Sequence, residues 1–329
     1  MVTAIVKGSV QETIDALTKD PSEWARVIIP RGIYKERVEI HTPRLILEGE
    51  GMDATCVEEN YAASEILQNG ERRGTFRSYT MFVNAPEVIL KNLEVRNSAG
   101  PRKKAEQAVA LYSNGDCFQA EGCRITGAQD TLFAGPLPKK ERVPNGFAGP
   151  GEGLPRVRTR HFFTGCEIRG DVDFIFGSGV AAFEKCRIIS KSEPELIGQF
   201  ENGEMNTLGY VCAPSTYEEE KTGFLFKDCT FESDNLPKNS VYLARPWRDF
   251  AKCVFVNCRM DDHIKEEGFH DWNRKEAAEN CFFAECGSYG PGAKGTRVSF
   301  AKVLSDVQAK EYEKNGEWKE FSEKVIKTE

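Results

Sequence analysis

The chain has 329 residues, 40% of them hydrophobic, with 51 acidic residues against 44 basic ones and a formal net charge of -7. That balance is ordinary for a globular protein and argues against a general nucleic-acid binder, since no basic tract offsets the negative sum. No window approaches about 18 uninterrupted apolar residues, so no membrane-spanning helix is expected.

The first residues, Met1-Val-Thr-Ala-Ile-Val-Lys-Gly8, lack a charged region followed by an apolar one, so a secretion signal is not expected there. The eleven cysteines show no metal-ligand spacing. An odd number of thiols without a signal favours reduced, buried side chains in a reducing compartment, and a cytoplasmic location is the expectation, with a secreted protein the alternative if a signal has been removed.

Residues 11–19 read as a short helix, with Ile14 and Leu17 three apart and Ser9 as its cap. Short alternating or apolar runs punctuated by Gly and Pro follow, among them Ala25-Arg-Val-Ile-Ile29 and Arg44-Leu-Ile-Leu47, and these read as strands. Gly49-Glu-Gly51 after the second run has no good helix behind it, so it reads as a turn rather than a dinucleotide fingerprint.

A small unit then recurs: a polar residue, Cys or Asn, and a strand start. It appears at Asn92, Cys123, Cys166, Cys186, Cys229, Cys258 and Cys281. Cys166 and Cys186 are 20 residues apart, Cys258 and Cys281 are 23 apart, and the 43 residues from Cys186 to Cys229 are close to two such periods. Cys123 and Cys166 are also 43 apart, with a long insert between them that makes a single coil the alternative.

A period near 20 residues, with short strands and turns, marks a stacked solenoid whose coils bury apolar positions against one another. The fold class expected is all-β: a right-handed parallel β-helix forming one domain over 1–329. The N-terminal helix would cap one open end. A charged helical tail from about Ala301, with Val303, Leu304, Val307 and Tyr312 in partial helical spacing, would cross the outside or cap the other end. The cysteines would form an internal ladder, because thiols stacked one per coil run in a line and do not converge on a metal. Residues 135–160, rich in Gly, Pro and charge, read as a loop flanking a cleft.

Asp173 lies in the apolar run Val172-Asp-Phe-Ile-Phe176, where a carboxylate is costly unless paired or functional. Asp130 follows Cys123 by seven residues, as Asp173 follows Cys166. If the two cysteines are equivalent, the carboxylates stack in neighbouring coils, and one of the two keeps its proton near neutral pH. Arg245 is suited to a bidentate pair with the ionised member or to a structural ion pair. Trp247 suits a sugar face or the core, and Gln107 and Gln129 suit an oxyanion hole or a polar stack within the solenoid. Asp116, in a polar turn, is set aside. There is no Gly-x-Ser-x-Gly elbow, and His41, His161, His263 and His270 show no ligand spacing.

Together these motifs resemble the pectin methylesterases (pectinesterases). The pattern runs from Gly32-Ile-Tyr-Lys-Glu-Arg-Val38 through Gln107-Ala-Val-Ala-Leu111, Gly127-Ala-Gln-Asp-Thr-Leu132 and Val172-Asp-Phe-Ile-Phe-Gly177 to Arg245-Pro-Trp247 and Gly290-Pro-Gly-Ala293. The resemblance implies hydrolysis of galacturonate methyl esters to carboxylate and methanol, with no metal or cofactor. By matching position it makes Asp173 the nucleophile, Asp130 the proton donor, Gln107 and Gln129 oxyanion donors and Arg245 the residue that orients Asp173. Phe176 and Trp247 would face the sugar, with Thr80 and Phe133 also toward substrate.

Departures from the family pattern are Ala244 for a usual Gly, Phe269 for a frequent Trp and Phe133 for a common Tyr. The expected partner is methylated pectin or an imported oligogalacturonide, bound by a monomer. The rivals are an esterase for another carbohydrate ester, a sugar-cleaving β-helix enzyme, and a β-helix that only binds acidic polysaccharide.

Overall fold

In the computed structural model, which describes residues 1–318, the short strands return repeatedly to three lines. They form parallel sheets of 11, 8 and 7 strands, the parallel β-helix. Sheet A runs from Val2–Ile5 to Lys302–Val303, sheet B from Gly32–Lys35 to Arg259–Met260, and sheet C from Val38–Ile40 to Val241–Ala244.

The corner from sheet A to sheet B is turned by a single left-handed residue. Asn92, Gly122, Gly165, Lys185, Asp228, Asn257 and Gly287 all have φ between 52° and 65°. Gly, Asn and Asp tolerate this region best, which is why the recurring unit carries them before its strand start. The next residue points inward, and at five successive coils it is Cys123, Cys166, Cys186, Cys229 or Cys258, all buried. Each thiol from Cys166 onward donates to a carbonyl of the preceding coil, that of Ala120, Phe163, Phe183 and Phe226 respectively, at 3.2–3.5 Å. Beside them Phe163, Phe183, Phe226 and Phe255 stack nearly parallel at 4.8, 4.6 and 5.0 Å. Stacking identical side chains coil upon coil buries them without a partner layer.

Two intervals differ from expectation. Cys186 and Cys229 are one coil apart, because Arg187 pairs directly with Thr230, and the extra length leaves the stack as a loop carrying the helix Pro194–Glu201. Cys281 is outside the ladder: it leads into the sheet A strand Phe282–Cys286, and the corner after Cys258 is Gly287-Ser288, with Tyr289 opposite Arg259. The 43 residues from Cys123 to Cys166 are one coil, with Arg124 opposite Glu167.

At the N-terminal end the helix is Val10–Asp15, capped by Ser9 and closing the stack with buried Val10 and Ile14. The Glu36 carboxylate accepts from the Ser9 hydroxyl and from the Val10 and Gln11 amides. At the other end Asp306–Gly316 crosses the outer face of sheet A. The Tyr312 hydroxyl donates to the Phe224 carbonyl and accepts from the Gly223 amide. The helical tail expected from about Ala301 begins only at Asp306: Lys302–Val303 pairs as an edge strand of sheet A, and Val303 and Val307 are 88% and 75% exposed. Among the described residues no helix is long and apolar enough to cross a membrane.

Candidate active site

The outward face of sheet C carries a row in register: Phe82, Tyr112, Phe133, Phe176 and Ala213, with Arg245 following Ala244 in the next coil. Just before these strands, the chain turns out of sheet B, and there the polar residues gather. Gln107 bridges Gln129 in parallel, and the Asp130 amide donates to the Val172 carbonyl at 3.0 Å. Leu132 pairs with Ile175, so Asp130 and Asp173, each two residues earlier, are equivalent positions of adjacent coils. Both are left-handed, with φ of 62° and 49°. A register shift between Val172 and Ile175 marks a bulge at Asp173, the device by which a strand re-aims one side chain.

Asp173 is 6% exposed and held in a fork by Arg245, with Nε to Oδ1 at 2.8 Å and Nη2 to Oδ2 at 2.6 Å. The guanidinium lies between two rings, 3.8 Å from the centre of Tyr210 and 3.7 Å from that of Trp272. Ala213, the small member of the outward row, leaves room beside it and lines the cleft. The Asp130 carboxyl makes no side-chain hydrogen bond among the described residues. Burial, and then the neighbouring Asp173 carboxylate, push it well above the ordinary aspartate value. One carboxylate is thus fixed and ion-paired, and its neighbour is disposed to hold a proton.

A cleft of about 250 Å³ opens over this group, lined by Gln107, Gln129, Asp130, Asp173 and Arg245 on its polar side and by Phe76, Phe176, Trp247 and Trp272 on its apolar side. The Trp247 ring stacks on Phe76 at 6.4 Å and meets Phe176 and Phe147 edge-on at 5.7 and 6.3 Å. Phe147 belongs to the loop 135–160, which does flank the cleft. The Tyr217 hydroxyl donates to the Leu137 carbonyl at 2.7 Å, and Lys139 pairs with Glu219, so the start of the loop is tied to residues 217–219. Among the described residues no three His, Cys, Asp or Glu gather as a metal ion would require.

The family model for Pectinesterase matches residues 3–137 and 147–326. The chain belongs to the pectinesterase family. It is 31% identical over 306 residues to putative pectinesterase 14 of Arabidopsis thaliana, covering 91% of this chain and 79% of that one. Pectinesterase/pectinesterase inhibitor PPE8B of Prunus persica is 30% identical over 93% of this chain, which spans about half (54%) of that relative's length. Among solved structures, the pectin methylesterase PemA from Erwinia chrysanthemi superposes with a TM-score of 0.75 at 27% identity, each chain covered to 94%. A crystal structure of a pectin methylesterase in complex with a hexasaccharide gives the same TM-score, identity and coverage.

Seen as a pectinesterase-family chain, two residues expected at the substrate are elsewhere. Thr80 is fully buried, its hydroxyl donating to the Arg96 carbonyl at 2.7 Å, so its side chain is engaged with the sheet B strand Glu94–Asn97 and does not line the cleft. Phe133 is also fully buried: Phe76 covers it at 5.1 Å, and it packs between Tyr112 and Phe176 at 4.7 and 4.8 Å. It therefore backs Phe176 and does not contact a ligand in the cleft. Asp116 is structural, paired with Arg160 at 2.8 Å.

Four residues that sequence reasoning did not place at the site shape it: Phe76, Phe147, Tyr210 and Trp272. Trp272, in the motif Gly268-Phe-His-Asp-Trp272, had the clearest signal, being an aromatic residue in a polar turn. The others are aromatic residues in ordinary apolar or loop settings.

Proposed function

We propose that Asp173 is the nucleophile of a pectinesterase reaction that removes methyl groups from galacturonate carboxyl esters of pectin or oligogalacturonides. The observation that carries this reading is the unequal pair: Asp173 locked in the Arg245 fork, and Asp130 one coil away and disposed to keep its proton.

An Asp173 oxygen attacks the ester carbonyl carbon, and the charge that develops on the carbonyl oxygen is met by the Gln107 and Gln129 amides. Collapse breaks the bond to the methoxy oxygen, which takes the Asp130 proton and leaves as methanol. Asp173 is left joined to the sugar as an acyl anhydride. Asp130, now ionised, draws a proton from water, whose oxygen attacks the anhydride, releasing the galacturonic acid and restoring Asp173. Phe176 and Trp247 are suited to the apolar faces of the sugar rings.

The decisive experiment is methanol release from methylated pectin and from short methylated oligogalacturonides, with acetylated oligosaccharides alongside. Methanol is expected from the methylated substrates. Acetate release alone would move the reading to another ester, and binding without release to a non-catalytic β-helix.

The pH dependence follows from Asp130. As the acid it acts when protonated, so kcat/KM is expected to fall as pH rises through its raised value. The linkage has the same sign. The unfolded chain ionises at the ordinary aspartate value while the folded carboxyl still holds its proton, so this group costs stability as pH rises between the two. Asp130→Asn is therefore expected to lose methanol release yet melt higher than the wild type at neutral pH. A lower melting temperature would contradict this account of the pair.

We further propose a reducing compartment and imported oligogalacturonides as the setting, supported by eleven free thiols, including Cys212 and Cys253 with their sulfurs 3.6 Å apart. Native protein found mainly outside cells would overturn that setting.

A further inference from the structure

Behind the rings around Arg245 lies a histidine that the reaction does not use. His270 touches each of the three pieces that surround the guanidinium. Its amide donates to the carbonyl of Ala244, the residue before Arg245, at 3.1 Å. Its ring meets Tyr210 edge-on at 5.8 Å and Tyr242 at 5.2 Å, and those two tyrosines stack on each other at 5.4 Å. Its Nδ1 accepts from the amide of Trp272 at 2.9 Å. Tyr210 and Trp272 are the two rings that enclose Arg245.

The hydrogen bond to Trp272 closes a costly turn. Trp272 and Asn273 are consecutive left-handed residues, with φ of 58° and 54°. Side chains with a Cβ adopt that conformation only where contacts hold it. The Asp271 carboxylate holds Asn273 by accepting from its amide at 2.8 Å, an Asx turn. His270 does the same for Trp272, with a ring nitrogen where Asn or Asp usually supplies an oxygen. A nitrogen that accepts cannot carry a proton, so the ring that holds Trp272 is the neutral one, protonated on Nε2.

A second proton would turn Nδ1 into a donor facing the Trp272 amide and end the bond. The charged groups around the ring are Asp271 on its own turn, Arg245 against Tyr210, and Lys265 with its ammonium 5.2 Å from the centre of Tyr242, on which Glu267 also acts. Burial pulls His270 below the ordinary histidine value; Asp271 opposes this, and Arg245 and Lys265 add to it. The ring is therefore neutral at neutral pH and takes its charge only in acid.

We propose that His270 is a positioning residue for the reaction: its neutral ring keeps Trp272 and Tyr210 closed on Arg245, and its protonation loosens the guanidinium that holds Asp173. The enzyme then carries an acid-side switch outside its pair of aspartates. This rests on the esterase reading above.

The test follows kcat and KM for methanol release against pH in wild type, His270→Asn and His270→Phe, with near-UV circular dichroism of the same samples. Asparagine keeps an acceptor for the Trp272 amide and takes no charge, whereas phenylalanine keeps the ring and has no acceptor. His270→Asn is expected within about threefold of wild type at neutral pH, with its acid limb moved to lower pH. His270→Phe is expected to lose about tenfold at neutral pH, mainly in kcat, because Arg245 acts by orienting the nucleophile. Acid limbs that coincide in wild type and His270→Asn, or a His270→Phe protein as active as wild type, overturn the proposal.

The aromatic signal separates the two readings. If the wild type releases no methanol, the esterase reading fails. The role of His270 then still stands if the wild type shows a reversible near-UV transition below about pH 6.5 that His270→Asn lacks. It falls if the two proteins titrate alike, or if the wild type shows no such transition.

Discussion

Replacing Asp173 with alanine or asparagine is expected to abolish methanol release, lowering kcat by at least about 10⁴-fold, as loss of a hydrolase nucleophile does. No neighbour can substitute. Asp130 is the carboxyl at the same position of the adjacent coil, but it is disposed to be protonated by burial and by Asp173 itself. Removing the Asp173 charge would let Asp130 ionise more readily, yet Asp130 occupies the coil before Asp173 and has no arginine fork to hold it toward the ester. Asparagine keeps the size of the side chain and accepts one hydrogen bond from Arg245, so the fold should survive. Methanol measured by an alcohol oxidase assay, with circular dichroism on the same sample, checks both halves. Release within about tenfold of wild type from folded Asp173→Asn would remove Asp173 from the nucleophile's role and return the reading to another residue or another chemistry.

Arg245→Ala is expected to damage stability and activity together. The substitution leaves Asp173 buried without its counter-ion, a change that costs about 3–5 kcal/mol when one partner of a buried pair is removed. It also takes away a cation held between Tyr210 and Trp272, contacts worth about 0.5–2 kcal/mol each. Without the fork nothing holds the Asp173 carboxylate toward the ester, so methanol release falls with stability. Arg245→Lys keeps the charge but not the planar fork, so it is expected to recover more stability than activity. Thermal or denaturant unfolding beside methanol release measures the two effects. An Arg245→Ala protein as stable and as active as wild type would mean that the fork is incidental.

The positions of the two aspartates could be read in advance because the register is constant across a coil. Arg124 lies opposite Glu167 in sheet B and Leu132 opposite Ile175 in sheet C, the same offset on both sides of Asp130 and Asp173. A shared spacing from the ladder cysteines therefore carried through to the cleft. Where the chain leaves the stack, spacing lost its meaning. The helix Pro194–Glu201 lengthens one coil until it resembles two, and the helix Lys275–Asn280 moves Cys281 out of the ladder.

Thr80 and Phe133 were misplaced for a different reason. Adjacency to a motif says nothing about which way a side chain turns, and Phe133, although on the outward row, is covered by Phe76. The aromatic walls were hidden because Phe76, Phe147 and Tyr210 have nothing unusual in their local sequence, and they come together only when loops fold onto sheet C.

The repeating architecture, the polar set and the family were therefore legible from residue types and spacing. Left-handed corner residues, stacked apolar positions and misplaced charges are local signals that survive without coordinates. The tertiary structure alone decided the unequal treatment of the two carboxylates, the ring sandwich around Arg245, and the aromatic walls of the cleft. Each depends on distances between side chains from different coils and loops, and desolvation and charge pairing act through space, not along the chain.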